Sequence, residues 1–100
     1  MIAIQILAND RTEAERIYHL LHRQGLIYDA FLDTGFAYLG PQGMVEGACL
    51  VEARTKALLF NRIKDTLLAS GMPLPLMLHS IPITQIEERQ GQQLISHTVS

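Results

Sequence analysis

Between Leu26 and Arg54 the chain reads as two long β-strands joined by one tight turn, and this stretch limits the possible folds more than any other. The first limb, Leu26–Tyr38, opens just after Gly25 and is rich in aromatic and aliphatic residues. It is long for a strand in a chain of 100 residues, since strands of about five or six residues are usual. The turn Gly40-Pro41-Gln42-Gly43 combines a proline that fixes φ with glycines that tolerate positive φ. The second limb, Met44–Ala53, again runs mostly apolar. A hairpin of this length projects beyond so small a domain, and such a projection is expected to meet copies of itself.

The flanking segments supply the rest of a small α+β unit. Ile2, Ile4 and Ile6 alternate with Ala3, Gln5 and Leu7, so the first strand has apolar groups on both faces, as a central strand does. Asp10 is set to cap a helix over Arg11–Gln24, with Glu13 as the partner of a capping box and Gly25 as the stop. Ala14, Ile17, Leu20 and Leu21 share its inner face, while Arg16, His19, His22 and Arg23 point elsewhere. Thr55 is expected to cap a second helix, Lys56–Ser70, closed by Gly71 and Pro73. Leu59, Ile63, Thr66 and Leu67 form its inner stripe; Leu58 and Leu68 fall off it. Leu74–Ile83 reads as a last strand whose prolines suit an edge. The tail, residues 84–100, is open between an extra strand and a short helix, with Gly91 tilting the reading toward strand.

The resulting order β-α-β-β-α-β is the split βαβ, ferredoxin-like arrangement of an α+β protein, in one domain over residues 1–100. Two helices cover one face of a four-stranded sheet. Yet Val45, Cys49, Val51 and Ala53 alternate with Ala48 and Leu50, and Phe31 opposes Ala30 and Leu32. Burying a large apolar side chain is worth about 1.5–3 kcal/mol, and an apolar face left open invites aggregation. The open face is therefore expected to pack on other subunits in a closed ring.

Composition narrows the partners. Hydrophobic residues make up 48% of the chain, charged ones 18%, and the formal net charge is −2, which provides no clustered basic surface for nucleic acid. No apolar run approaches the roughly 20 residues that cross a bilayer. Ile2–Ala8 is too short for a signal peptide and lacks its basic start. The expectation is a cytoplasmic protein with neither nucleic acid nor membrane as partner. The single cysteine, Cys49, excludes an intramolecular disulfide and any Cys-pair metal motif.

In order and spacing these residues resemble the CutA-type divalent-cation-tolerance family, trimeric relatives of the PII signalling proteins. The resemblance covers about residues 1–83 and rests on several short fragments. Glu13-Ala14-Glu15-Arg16-Ile17 is close to that family's first-helix wording, and Gly25-Leu26 leads into the long strand as it does there. Gly35 and the turn Gln42-Gly43-Met44-Val45-Glu46 are similar too, as are Arg54-Thr55 with Phe60 and Lys64, and the prolines Pro75 and Pro82. It implies a ferredoxin-like homotrimer with an extended hairpin. Three departures keep it from implying the family's copper-binding role. Tyr28-Asp29-Ala30-Phe31 replaces the family's Ala-Ala-Cys-Val-Asn run, Gly40-Pro41-Gln42 replaces its tryptophan-bearing turn, and Ser70-Gly71-Met72-Pro73 replaces its His-Pro-Tyr-Glu stretch.

Candidate chemistry is sparse. Glu15, His19 and His22 lie on one side of the first helix, at spacings that suit a divalent metal such as zinc or copper; the plainer reading is a solvated face. His79 reads as a satisfied core or interface histidine and Cys49 as an inert buried thiol. Asp29, Asp33, Glu46 and Glu52 form either an acidic patch at a subunit junction or partners for Arg54 and Lys56. There is no glycine-rich phosphate loop, nucleophile elbow, or Cys-His or Ser-His motif. The expected function is thus non-enzymatic: a trimer that binds a small ligand, a metal ion or a partner protein at its inter-subunit clefts, in metal tolerance or signalling. The alternative is a small enzyme of the acylphosphatase type using Asn9, Arg11 and a histidine, although Ala8-Asn9-Asp10 lacks the glycines of a phosphate cradle.

Overall fold

The computed structural model describes residues Met1–Ser100. The elements run β1 (Ile2–Ala8), α1 (Arg11–Arg23), β2 (Asp29–Gly40), β3 (Gly43–Thr55), a single 3₁₀ turn (Ala57–Leu59), α2 (Phe60–Ala69), β4 (Met77–Pro82) and α3 (Glu88–His97). The strands form one sheet in the order β2-β3-β1-β4, every neighbouring pair antiparallel. This is the expected ferredoxin-like α+β arrangement, with a third helix added. β1 is central, and the proline-bearing β4 lies at an edge.

Helix α1 begins and ends on local signals. The Asp10 carboxylate accepts the Glu13 N–H at 2.8 Å, while the Glu13 carboxylate reaches back to the Asn9 backbone N–H and side-chain amide. Donors at the helix start are thereby satisfied from both directions. At the other end the Gly25 N–H donates to the His22 carbonyl and the Leu26 N–H to the Leu21 carbonyl, both at 3.0 Å. That paired closure needs a left-handed residue, and Gly25 has φ +71°. It turns Leu26 and Ile27 straight into the core.

The core lies between the helices and one face of the sheet. Ile2, Ile4, Ile6 and Ala8 of β1 and Cys49, Val51 and Ala53 of β3 meet Ala14, Ile17 and Leu21 of α1 and Leu59, Ile63 and Leu67 beneath α2. Leu58 and Leu68 stay exposed, as their positions off the stripe require.

Two expectations change. Thr55 does not cap a helix: it ends β3, fully buried, and its hydroxyl donates to the Leu26 carbonyl at 2.6 Å. The second helix therefore starts later, through the 3₁₀ turn at Ala57–Leu59. The tail takes the helical alternative, and Gly91 is buried within it where a side chain would crowd Ile86 and Met1. Close approach of α3 outweighs glycine's poor helix propensity. Helix α3 lies against the end of the otherwise open sheet face: Gln90 accepts from Arg54 and Gln93 from Tyr28, with Leu94 buried beneath. Lys56 fastens the C-terminus through the Thr98 and Val99 carbonyls.

The hairpin is as long as the sequence suggests, though its first limb begins later than expected, at Asp29 rather than Leu26, and both limbs end later, at Gly40 and Thr55. Register shifts follow Asp33, beside Gly35 and Gly47, both with positive φ. No residue from Thr34 to Gly47 is buried.

Candidate functional site

Strand alternation places a second set of side chains on the face away from α1 and α2, and the antiparallel register sorts them into three rows across all four strands. The middle row is Phe31, Glu52, Gln5 and His79; its neighbours are Asp29, Arg54, Ala3 and Ile81 on one side and Asp33, Leu50, Leu7 and Met77 on the other. Gln5 is the hub of the middle row. Its amide donates to Glu52 Oε1 at 2.7 Å, and its carbonyl oxygen lies 2.8 Å from His79 Nε2, the geometry of a ring N–H donating to it. A carboxylate, an amide and an imidazole are thereby tied into one hydrogen-bonded line over three strands.

The adjoining row holds a forked ion pair. Arg54 Nε donates to Asp29 Oδ1 at 2.9 Å and Nη2 to Asp29 Oδ2, the two-point geometry that guanidinium and carboxylate prefer. Hydrogen bonding to Asp29 pushes the Arg54 pKa up further against the desolvation that opposes it. The Arg54 guanidinium also sits 5.6 Å from the Tyr28 ring centroid. Between the two rows a cleft of about 540 Å³ is lined by Ala3, Asp29, Phe31, Glu52, Arg54 and Ile83, among others. Phe31 stands at its rim, 54% exposed.

This arrangement suits packing and binding. It offers an apolar rim, a fixed ion pair and hydrogen-bonding groups already aligned by their neighbours. Glu52 and His79 are separated by Gln5, so they do not touch as an acid–base pair. The residues of the enzymatic alternative are engaged elsewhere: Arg11 pairs with Glu15 at 2.9 Å, and the Asn9 side chain is bonded to Glu13.

The other sequence candidates divide. Of the acidic set, Asp29 takes Arg54 and Glu52 takes Gln5. His79 is exposed rather than a core residue, and Gln5 satisfies it. Glu15 binds Arg11, while His19 and His22 lie against the Tyr18 ring at 4.6 and 6.2 Å between centroids. Glu15, His19 and His22 do not converge, and nowhere do three His, Cys, Asp or Glu side chains gather in a metal-holding group. Cys49 is wholly buried, and burial raises its thiol pKa above the ordinary 9.0. Sequence reasoning passed over Gln5. Its signal was there, as the one polar residue of Ile2–Ala8.

The geometry defines a class: a ferredoxin-like α+β protein with an overlong hairpin and one sheet face largely free of helices. Within that class the chain has the CutA1 fold. The CutA1 of Pyrococcus horikoshii matches over 100% of both chains, with a TM-score of 0.84 and 19% identity. The divalent cation tolerance protein CutA1 of Thermus thermophilus matches over 99% of this chain and 100% of its own, with a TM-score of 0.84 and 19% identity. CutA1 of Oryza sativa matches over 98% and 93%, with a TM-score of 0.84 and 14% identity. No protein-family model and no curated protein matches the sequence.

Proposed function

We propose that this chain is a non-enzymatic CutA-type protein that forms a homotrimer through its open sheet face and long hairpin. In this reading it works in the cytoplasm and binds a small ligand, a metal ion or a partner protein in the clefts between subunits. The observation that carries the reading is the run of exposed apolar side chains on a surface with little helix cover: Phe31 and Ile81 on the sheet, and Phe36, Leu39 and Met44 along the hairpin. A row of aligned polar groups beside such residues is the composition of an interface with a polar site at its margin. The Thermus thermophilus protein of this fold is described as a divalent cation tolerance protein, which supports metal tolerance as the setting of this role.

Native mass spectrometry of protein purified without a metal-affinity tag tests this in one spectrum. The expected species has three times the mass of the 11.2 kDa chain, and any retained ligand adds to it. A monomer or dimer overturns the assembly. Zinc and copper titration addresses Glu15, His19 and His22: loss of binding in the His19→Ala, His22→Ala double variant assigns a metal to α1, and unchanged affinity clears that helix.

A further inference from the structure

The helix side of the molecule carries a concavity that the sheet-face reading leaves unused. A cavity of about 350 Å³ lies between the outer side of α1 and the turn after α2, lined by Arg16, His19, Leu20, Arg23, Ser70 and Met72. Arg16 and Arg23 are about two helical turns apart, so they stand on nearly the same line of α1, roughly 10 Å apart along its axis. The ion pairs of the chain engage Arg11, Arg54 and Arg89. Arg16 and Arg23 belong to none of them, and no Asp or Glu lines the cavity. A chain of net charge −2 thus presents two guanidiniums on one wall without carboxylates of their own.

The remaining lining residues define what those cations would hold. His19 places a ring nitrogen on the turn between the arginines. Leu20 and Met72 are half-buried, packed on the core, and give the cavity an apolar floor. The Ser70 hydroxyl is committed, donating to the Leu67 carbonyl at 2.6 Å and accepting the Met72 N–H at 3.2 Å. It therefore holds the opposite wall in place and leaves recognition to the arginines. A guanidinium fork matches phosphate oxygens in two-point geometry, and long arginine side chains bridge the distance between their backbones. The volume is that of a small-molecule site, typically about 300–1,000 Å³. Six lining residues fall well short of the roughly 20–30 per side that a stable protein interface uses.

We propose that this cavity binds a small organic phosphate, its phosphate groups held by Arg16 and Arg23 and its flat apolar body laid on Leu20 and Met72. The site lies on the helix side, away from the open sheet face, so it stands whether or not copies of the chain assemble through that face.

The test is calorimetric titration of the full chain with ADP and with inorganic diphosphate. Saturable ADP binding is expected, tighter than that of diphosphate, which leaves the apolar floor uncovered. Losing one charge-assisted contact in Arg16→Gln or Arg23→Gln should weaken it roughly tenfold or more. Both replacements keep a good helix former on the outer side of α1, so the circular dichroism spectrum stays as it is. Arg89→Gln, on α3, leaves ADP affinity unchanged. The proposal is overturned by no saturable binding at millimolar ADP, by equal affinity for ADP and diphosphate, or by an equal loss in the Arg89→Gln variant.

Discussion

One sheet presents two faces, and they are furnished in opposite ways. Toward the helices β1 and β3 contribute Ile2, Ile4, Ile6, Val51 and Ala53, none more than 7% exposed. Toward the other side the same strands contribute Ala3, Gln5, Glu52 and Arg54, all half-buried, with Phe31 beside them in the open. The first face needs nothing beyond dense apolar packing, which concentrates the free energy of folding there. The second carries a hydrogen-bonded row and an ion pair that the packing of α1 and α2 does not require. Among the residues of the sheet, those with a role outside the folding of the subunit are to be sought on that second face.

Substitutions can break or sharpen this contrast. Ile4→Ala, at a fully buried position of the helix-side face, should cost about 2–5 kcal/mol in urea-unfolding free energy. A smaller loss would mean that the helix side is loosely packed. Next comes Gly25→Ala, which forces a side chain onto a backbone of φ +71° and within 3.1 Å of Val99 Cγ1. A loss of about 1–2 kcal/mol is expected from the strained helix closure, read from the same unfolding curves. Across the sheet, Gln5→Ala removes the hub of the polar row and should cost only about 0.5–1.5 kcal/mol, since Glu52 and His79 can turn to water. A cost equal to that of Ile4→Ala would erase the distinction between the faces.

The smallest effect at neutral pH belongs to Cys49. Burial holds its pKa above the ordinary 9.0, so the folded chain keeps the thiol proton that the unfolded chain gives up. Its contribution is fully present below the unfolded pKa and is lost as pH rises toward and through the folded one. Stability should therefore fall on the alkaline side of pH 9.0, and less so in Cys49→Ala. Alkylation of the native protein should proceed only as fast as the structure opens; rapid labelling would contradict the burial.

What the sequence disclosed follows the same divide between local and distant causes. The start of α1 at Asp10 and Glu13, its stop at Gly25 and the alternation of Ile2, Ile4 and Ile6 are signals carried within a few residues, and they hold in the structure. Thr55 misled because it has the chemistry of a cap, while its partner, the Leu26 carbonyl, lies far away in the chain. Gly91 misled as well: propensity speaks against a helix there, while the close approach of Ile86 and Met1, which a glycine accommodates without displacement, shows only in the folded chain. The middle row of the open face was hidden for the same reason. Gln5 is separated from Glu52 by 47 positions and from His79 by 74, and only the strand register brings them together.

The central claim is that the open face joins copies of the chain, and sedimentation velocity of the wild type beside Phe31→Lys tests it most directly. Lysine opposite Glu52 in the cross-strand register forms a favourable pair on an isolated subunit, so the fold is retained while the apolar rim is lost. The expected result is a wild type at three times the mass of the chain and a variant that sediments as a folded monomer. Equal sedimentation of the two proteins, at either mass, would contradict the claim.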